Sequence, residues 1–314
     1  MKTACIYHSI DLDGWMSAAI VKHWSILNAP MYIDFIGYNY GKPIPDLSEY
    51  DKVIMCDISF SKEEMLKLVK EKQSNFIWID HHQRTIDETL QYIFDNNTSE
   101  PSGYRTKGQL EAACELTWKY FFLNEEMPEI VRLLGRYDCF GHKGTDEEQQ
   151  VLEFQYGARD LISDYEDAYN FLIDEIKNKS VNLGIGLRGE HIYSYLCTEA
   201  MQTYKNGFEV LFLVNIQHSK ETAIVGFEKL RYICINKERF NPINFGIDYH
   251  KEGYDGAACF HYDAPFNQWK FSLYNDNGKV DCSLIAQQFG GGGHKGAAGF
   301  VLDFDEFNKL INNK

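Results

Sequence analysis

Carboxylates and imidazoles crowd three short stretches of this 314-residue chain: His8-Ser-Ile-Asp11-Leu-Asp13-Gly14, Cys56-Asp57 and Asp80-His81-His82. Brought together, such side chains would repel one another unless cations neutralised them. Oxygen donors mixed with a few imidazoles suit Mn²⁺ or Mg²⁺ better than a structural Zn²⁺. The donors exceed what one ion needs, so two ions are the natural count. Two divalent ions about 3.5 to 4 Å apart lower the pKa of a bridging water and clamp the attacking and leaving oxygens of an in-line displacement. Each residue also has an ordinary reading. A lone Asp after a strand usually caps a helix or forms a turn, and a lone His is usually satisfied in a core or on the surface. Independent caps do not explain three such groups in one folding unit.

A second kind of chemistry is written near the C-terminus, where Gly290-Gly291-Gly292-Gly293 precedes His294 and Lys295. Consecutive glycines let the backbone approach an anion with no Cβ in the way, and several N–H groups can converge on one phosphate. A tight turn or a close packing point is the ordinary alternative. Gly296-Ala-Ala-Gly299 reads as structural.

The elements that must position the first set alternate between strand and helix. Ala4 to Tyr7 is a short apolar run, and Trp15 to Leu27 suits a helix. Met31 to Ile36 and Val53 to Ile58 are further strand candidates, and Ser61 with Glu64 makes a capping pattern ahead of Met65, Leu68 and Val69. Phe76 to Ile79 is a strand that stops at Asp80. Continuous apolar strands alternating with helices predict a parallel sheet covered on both faces. His8, Asp11, Asp13, Asp57 and Asp80-His81-His82 then fall at the carboxyl ends of strands, where ligands bind in open α/β sheets. Leu110, Ala113, Cys114, Thr117, Trp118 and Phe121 predict one more helix, and Ile130, Leu133, Leu134 and Tyr137 another that ends before Asp138.

With 44% hydrophobic residues, the chain buries a sizeable core and is long enough for two domains. Asn178 to Gly189 reads as a linker, which divides the chain into residues 1–186 and 187–314, joined by a helix over about 189–204. Strands at Val210 to Ile216, Ala257 to Phe260 and Trp269 to Tyr274 and a helix at Ser283 to Phe289 follow. Thirty-one Lys and Arg against forty-six Asp and Glu give a net charge of −15, which disfavours long duplex nucleic acid and anionic membranes. The eight cysteines are scattered singly and support neither a disulfide framework nor a zinc ribbon. The N-terminal residues lack the apolar core of a signal peptide, and no window approaches a membrane span, so a cytoplasmic protein is expected.

The ordered set His8-Ser-Ile-Asp11-Leu-Asp13-Gly14, Cys56-Asp57, Asp80-His81-His82 and Tyr137-Asp138 resembles the four motifs of the DHH phosphoesterase superfamily. The stretch from Phe289 through the glycines and His294 to Phe300 resembles the hallmark of the DHHA1 domain that accompanies one large branch. The resemblance implies an N-terminal α/β DHH domain with a mainly parallel sheet, a smaller C-terminal α/β DHHA1 domain, and a metal site facing the cleft between them. It implies a binuclear Mn²⁺ site, with Mg²⁺ as the other option: His8, Asp11 and Asp57 on one ion, Asp13, Asp57, His81 and Asp138 on the other. Asp80 would support the metals, and His82 would face the substrate phosphate and protonate the leaving oxygen. Gly291, Gly292, Gly293 and His294 would bind substrate. Here the first His sits three residues before the first Asp, where the family usually places it four before.

Glu115-Leu-Thr-Trp-Lys-Tyr120 and Leu134-Gly-Arg-Tyr-Asp138 look most like the oligoribonuclease B-like branch, near the cyclic-nucleotide phosphodiesterases. The implied activity is hydrolysis of short RNA or DNA oligonucleotides or small nucleotides to 5′ mononucleotides. The alternatives are a phosphatase on pAp, a cyclic (di)nucleotide phosphodiesterase, and a silent nucleotide or metal sensor. The reading leaves a homodimer open.

Overall fold

The computed structural model describes residues 2–28, 32–106, 111–178, 180–217, 225–238 and 240–312. Met31, Leu110 and Lys179, which fall within the predicted elements, lie outside them. The chain divides into two compact units, Met1–Tyr193 and Ser194–Lys314.

The first unit is built on four parallel strands, β1 (Thr3–His8), β2 (Ile33–Tyr38), β3 (Lys52–Cys56) and β4 (Phe76–Ile79), in the order β2-β1-β3-β4. Successive side chains point to opposite faces, and both faces are buried. Ala4, Ile6, Val53, Met55, Phe76 and Trp78 pack with Met65, Leu68, Val69, Ile86 and Ile93 of α2 (Lys62–Lys72) and α3 (Gln83–Asp95). Cys5, Ile54, Cys56, Ile77 and Ile79 face the other way, onto Val21 of α1 (Leu12–Leu27) and Leu116 of α4 (Ala113–Phe121). This is why the strands read as unbroken apolar runs. Ser61 caps α2, its hydroxyl accepting from Glu64 N–H at 3.4 Å. Beyond α1 and α4 a helical core continues through α5 (Glu129–Asp138), α6 (Glu148–Leu161) and α7 (Tyr165–Asn178).

The expected linker at 178–189 is corrected by the structure. α7 ends at Asn178 and a new helix, α8 (Val181–Lys205), begins almost at once. Of its three glycines, Gly184 and Gly186 face open space, whereas Gly189 is closely packed. A Cβ at Gly189 would lie 1.7 Å from the Glu153 carbonyl oxygen, and one at Gly157 would lie 2.0 Å from that of Ile185. The pair lets the α6 and α8 backbones touch. The division between the units falls inside α8, between Tyr193 and Ser194.

The second unit holds a six-stranded mixed sheet in the order β5-β6-β7-β8-β10-β9. Its strands are β5 (Phe208–Gln217), β6 (Val225–Asn236), β7 (Gly256–Asp263), β8 (Gln268–Tyr274), β9 (Gly292–Gly293) and β10 (Ala297–Leu302). Among the described residues of this sheet, only β6 and β7 pair in parallel. Helices α9 (Cys282–Gln288) and α10 (Phe304–Asn312) pack on one face, where Ile285, Ala286 and Phe307 join Phe212, Tyr232, Phe271 and Phe300. Among the described residues no helix is long and apolar enough to cross a membrane.

Candidate metal centre

The carboxyl ends of β1, β3 and β4 carry the predicted residues to one place. His8 is the last residue of β1, and the chain turns at once into α1, with Asp11 at its N-cap accepting from Gly14 N–H at 3.0 Å. Gly14 has to be small: a Cβ there would lie 2.1 Å from the His8 carbonyl oxygen. Asp57 follows β3 in the left-handed region at φ 60°, which a branched residue would not tolerate, while its N–H donates to Ile79 O at 2.9 Å. Asp80, His81 and His82 follow β4, and Asp138 closes α5.

The distances sort these side chains into two groups that share Asp57. His8 Nδ1 lies 2.7 Å from Asp11 Oδ2 and 3.4 Å from Asp57 Oδ2. On the other side, His81 Nε2 lies 3.4 Å from Asp57 Oδ1, 3.7 Å from Asp13 Oδ2 and 3.2 Å from Asp138 Oδ2. The electrostatics are those of a crowded anionic pocket. Burial, then the nearby Asp57 charge, raises Asp13 to about 7, against the pull of His81. Burial, then Asp13, raises Asp138 to about 7. Burial also outweighs His8 and His81 at Asp57, whose pKa is raised. The imidazoles respond in the opposite sense. Burial alone would lower His8 and His81, but Asp11 and Asp57 raise the first to about 10, and Asp57, Asp13 and Asp138 raise the second to about 10. The pocket therefore favours bound positive charge, here protons.

Asp80 has a different task. It is fully buried, and its Oδ1 accepts from the N–H groups of His81 at 2.8 Å and His82 at 3.1 Å, while Trp78 Nε1 donates to Oδ2 at 3.2 Å. His82 Nδ1 lies 2.7 Å from the same Oδ1. That contact fixes the ring with Nδ1–H toward Asp80 and leaves Nε2 to act, on a side chain that is 39% exposed. Burial would lower the His82 pKa, but Asp80 reverses the sign and raises it.

Several supporting residues escaped the sequence reading. The Asp13 carboxylate accepts from Ala113 N–H at 2.9 Å and Cys114 N–H at 2.7 Å, so a residue of α1 caps α4 across about a hundred positions of sequence. Glu115 reaches back to Ala112 N–H at 2.9 Å, and Gly135 of α5 makes room for it: a Cβ there would lie 2.5 Å from the Glu115 carboxylate. This contact seats α5, and with it Asp138. Arg105 holds the start of the motif from below, donating to the Trp78 carbonyl at 2.9 Å. Tyr40, half exposed, lies edge-on to His8 with ring centroids 6.1 Å apart. Apart from the local Glu115–Ala112 bond, these contacts join distant segments, and sequence spacing carries no signal for them.

Residues 3–135 match the family described as the DHH family, N-terminal domain. The first unit contains a DHH-family domain. Asp138 lies just beyond the matched span. An uncharacterized protein, R106, of Acanthamoeba polyphaga mimivirus is 24% identical over 308 residues, which cover 95% of this chain and 66% of that protein. Among solved structures, the pGpG-specific phosphodiesterase PggH from Vibrio cholerae superposes with a TM-score of 0.54 at 11% identity, covering 99% of this chain and 96% of that one. Exonuclease RecJ bound to manganese gives a TM-score of 0.47 at 14% identity, over 99% and 88%.

The donor set of the DHH domain fits divalent cations. His8 with Asp11 and Asp57, and Asp13 with His81 and Asp138, each bring three ligand atoms within 4.8 Å of one another. A third grouping, Asp57 with His81 and His82, meets the same limit. Asp57 Oδ1 and His8 Nε2 are buried without a hydrogen-bond partner among the described residues, as expected of atoms shaped for a ligand. The remaining sequence-predicted residues lie in the second unit. Gly292 and Gly293 form β9 against β10, Gly291 N–H donates to Ala286 O at 2.9 Å, and His294 N–H donates to Ala297 O at 2.7 Å. Much of the loop's donor capacity is thus used within its own unit, while the His294 side chain is exposed.

Proposed function

We propose that this chain is a divalent-metal-dependent phosphodiesterase, loaded with Mn²⁺ or Mg²⁺, that hydrolyses short oligonucleotides or small nucleotides to 5′ mononucleotides. The observation that carries this reading is the position of Asp57, whose two carboxylate oxygens lie 3.4 Å from His8 on one side and 3.4 Å from His81 on the other. In this reading His8, Asp11 and Asp57 hold one ion, and Asp13, Asp57, His81 and Asp138 the other. Such a pair supplies charge neutralisation at phosphorus and a water activated near neutral pH.

The chain's own groups do the rest. Asp80 orients His82 through Nδ1 and raises its pKa, which favours the form whose Nε2 can deliver a proton to the leaving oxygen. Asp13 holds its place through two N–H donors at the start of α4, which fixes the depth of the second group. Gly291, Gly292, Gly293 and His294 are assigned to substrate binding on the second unit. A net charge of −15 disfavours long polyanions away from the centre, which supports a short substrate. The name of the Vibrio cholerae neighbour in fold, a pGpG-specific phosphodiesterase, supports placing a linear dinucleotide first among the substrates to test.

The test incubates the purified chain with Mn²⁺ and a panel: a linear dinucleotide, 5-mer and 24-mer RNA, pAp, cyclic AMP, cyclic dinucleotides and pyrophosphate. Mn²⁺-dependent release of 5′ mononucleotides, fastest from the shortest substrates, is the expected result. Cleavage of none of them by protein with both ions bound would refute the assignment, and preference for the 24-mer would refute the size argument.

A further inference from the structure

Just past the end of α5, two residues after Asp138, a bulky residue takes a backbone that helix ends usually leave to Gly or Asn. Phe140 holds a left-handed backbone at φ 55° with its side chain 60% exposed. A scattered exposed apolar residue needs no explanation. A bulky one in this region does, because Gly or Asn would sit there with less strain. The loop enforces the conformation. Phe140 N–H donates to Tyr137 O at 3.1 Å and its carbonyl accepts from Lys143 N–H at 3.2 Å. His142, buried and stacked on Tyr137 at 5.3 Å with planes 6° apart, anchors the turn from beneath, and its N–H donates to Arg136 O at 3.3 Å. The ring is therefore exposed on a fixed turn two residues beyond Asp138. The Lys143 ammonium lies 4.8 Å from its centroid.

We propose that Phe140 is a stacking platform for the nucleobase of the nucleotide whose phosphate occupies the metal centre, with Lys143 supplying positive charge over one face of the ring and the base stacking on the other. The inference rests on the phosphodiesterase reading and deepens it, because it makes a nucleoside, rather than a bare phosphoester, the unit that is recognised. Strain of this kind at a loop tip is retained where surrounding contacts impose it, and it concentrates at ligand clamps. Every base has a π face, so the platform selects for a base and not for a sequence.

The test compares the affinity of AMP with that of ribose 5-phosphate for the Mn²⁺-loaded full chain, by calorimetry. Stacking of one base predicts tighter binding of AMP by roughly 5- to 150-fold. Phe140→Asn and Phe140→Ala should bring that ratio close to one and leave the affinity for ribose 5-phosphate unchanged. Phe140→Trp should preserve the ratio. The melting temperature of Phe140→Asn should equal or exceed that of the parent, because Asn accepts the left-handed backbone, so a loss of discrimination cannot be put down to unfolding. Equal affinities in the parent, or a ratio that survives Phe140→Asn, overturns the platform. Because the readout is binding, absence of turnover with the ratio intact would refute the phosphodiesterase reading and leave the platform standing.

Discussion

Asp57→Asn separates a ligand from a structural carboxylate. Asp57 is buried, and its pKa is raised by burial and by the Asp11 and Asp138 charges despite His8 and His81. A folded pKa above the unfolded value means that the metal-free fold disfavours the ionised form at neutral pH. Asn is the neutral isostere and also tolerates φ 60°, which Ala would not do as readily. The metal-free variant should therefore melt at or above the temperature of the parent. The loaded protein should behave in the opposite way. Free Mn²⁺ at 100 times its dissociation constant stabilises the parent by about 2.7 kcal/mol per site. For a cooperative unit the size of Met1–Tyr193 that corresponds to roughly 5–11 °C. Because Asp57 lies in both groups, Asn should abolish the rise at both sites. Differential scanning fluorimetry with Mn²⁺ and with chelator reads all four numbers. A metal-free variant that melts many degrees lower would make Asp57 a structural carboxylate, and one that keeps the parent's Mn²⁺ shift would show that it is not a ligand.

Asp80→Asn removes the negative charge that pairs with His82, and activity should fall roughly 10- to 100-fold. The basic limb of the pH–rate profile should move to lower pH, because Asp80 is what raises the His82 pKa against burial; an unmoved limb would contradict the assignment. In the metal-free unit, Asp13 and Asp138 near 7 contribute stability at low pH that is lost as pH rises from about 4 to 7, and His8 and His81 near 10 contribute stability below about 6.5 that is lost as pH rises through 10. Metal loading expels those protons, so calorimetry in two buffers at pH 6 should show release of about four, with tighter binding as pH rises. Gly135→Ala should lower stability to urea by about 1–3 kcal/mol, since its Cβ would strike the Glu115 carboxylate. Adding Glu115→Ala should recover part of that loss, and strictly additive losses would exclude the contact.

The parallel sheet was readable because β1, β3 and β4 are buried on both faces, which leaves unbroken apolar runs in the sequence. The metal-binding candidates were readable because each sits at a strand or helix end marked by a change in polarity. Asp11 shows why single-residue priors mislead: it is a helix cap, as the ordinary reading has it, and it also lies 2.7 Å from His8. Two kinds of feature were hidden. β6 divides its residues between two cores, with Leu230, Tyr232 and Cys234 on one face and Ile233 and Ile235 on the other, so it shows no alternation. The glycines of 178–189 suggested a linker because glycine is rare inside helices; the segment is nevertheless helical from Val181, and Gly189 is where the α6 and α8 backbones meet. The long-range cap from Asp13 and the Glu115–Gly135 fit join segments that no local pattern connects.

Anomalous diffraction from crystals grown with Mn²⁺ tests the central claim, that a binuclear centre is assembled around Asp57. Two peaks roughly 3.5–4 Å apart are expected, one beside His8 and Asp11, one beside Asp13, His81 and Asp138, with Asp57 between them. A single peak, or no peak at these residues, would contradict it.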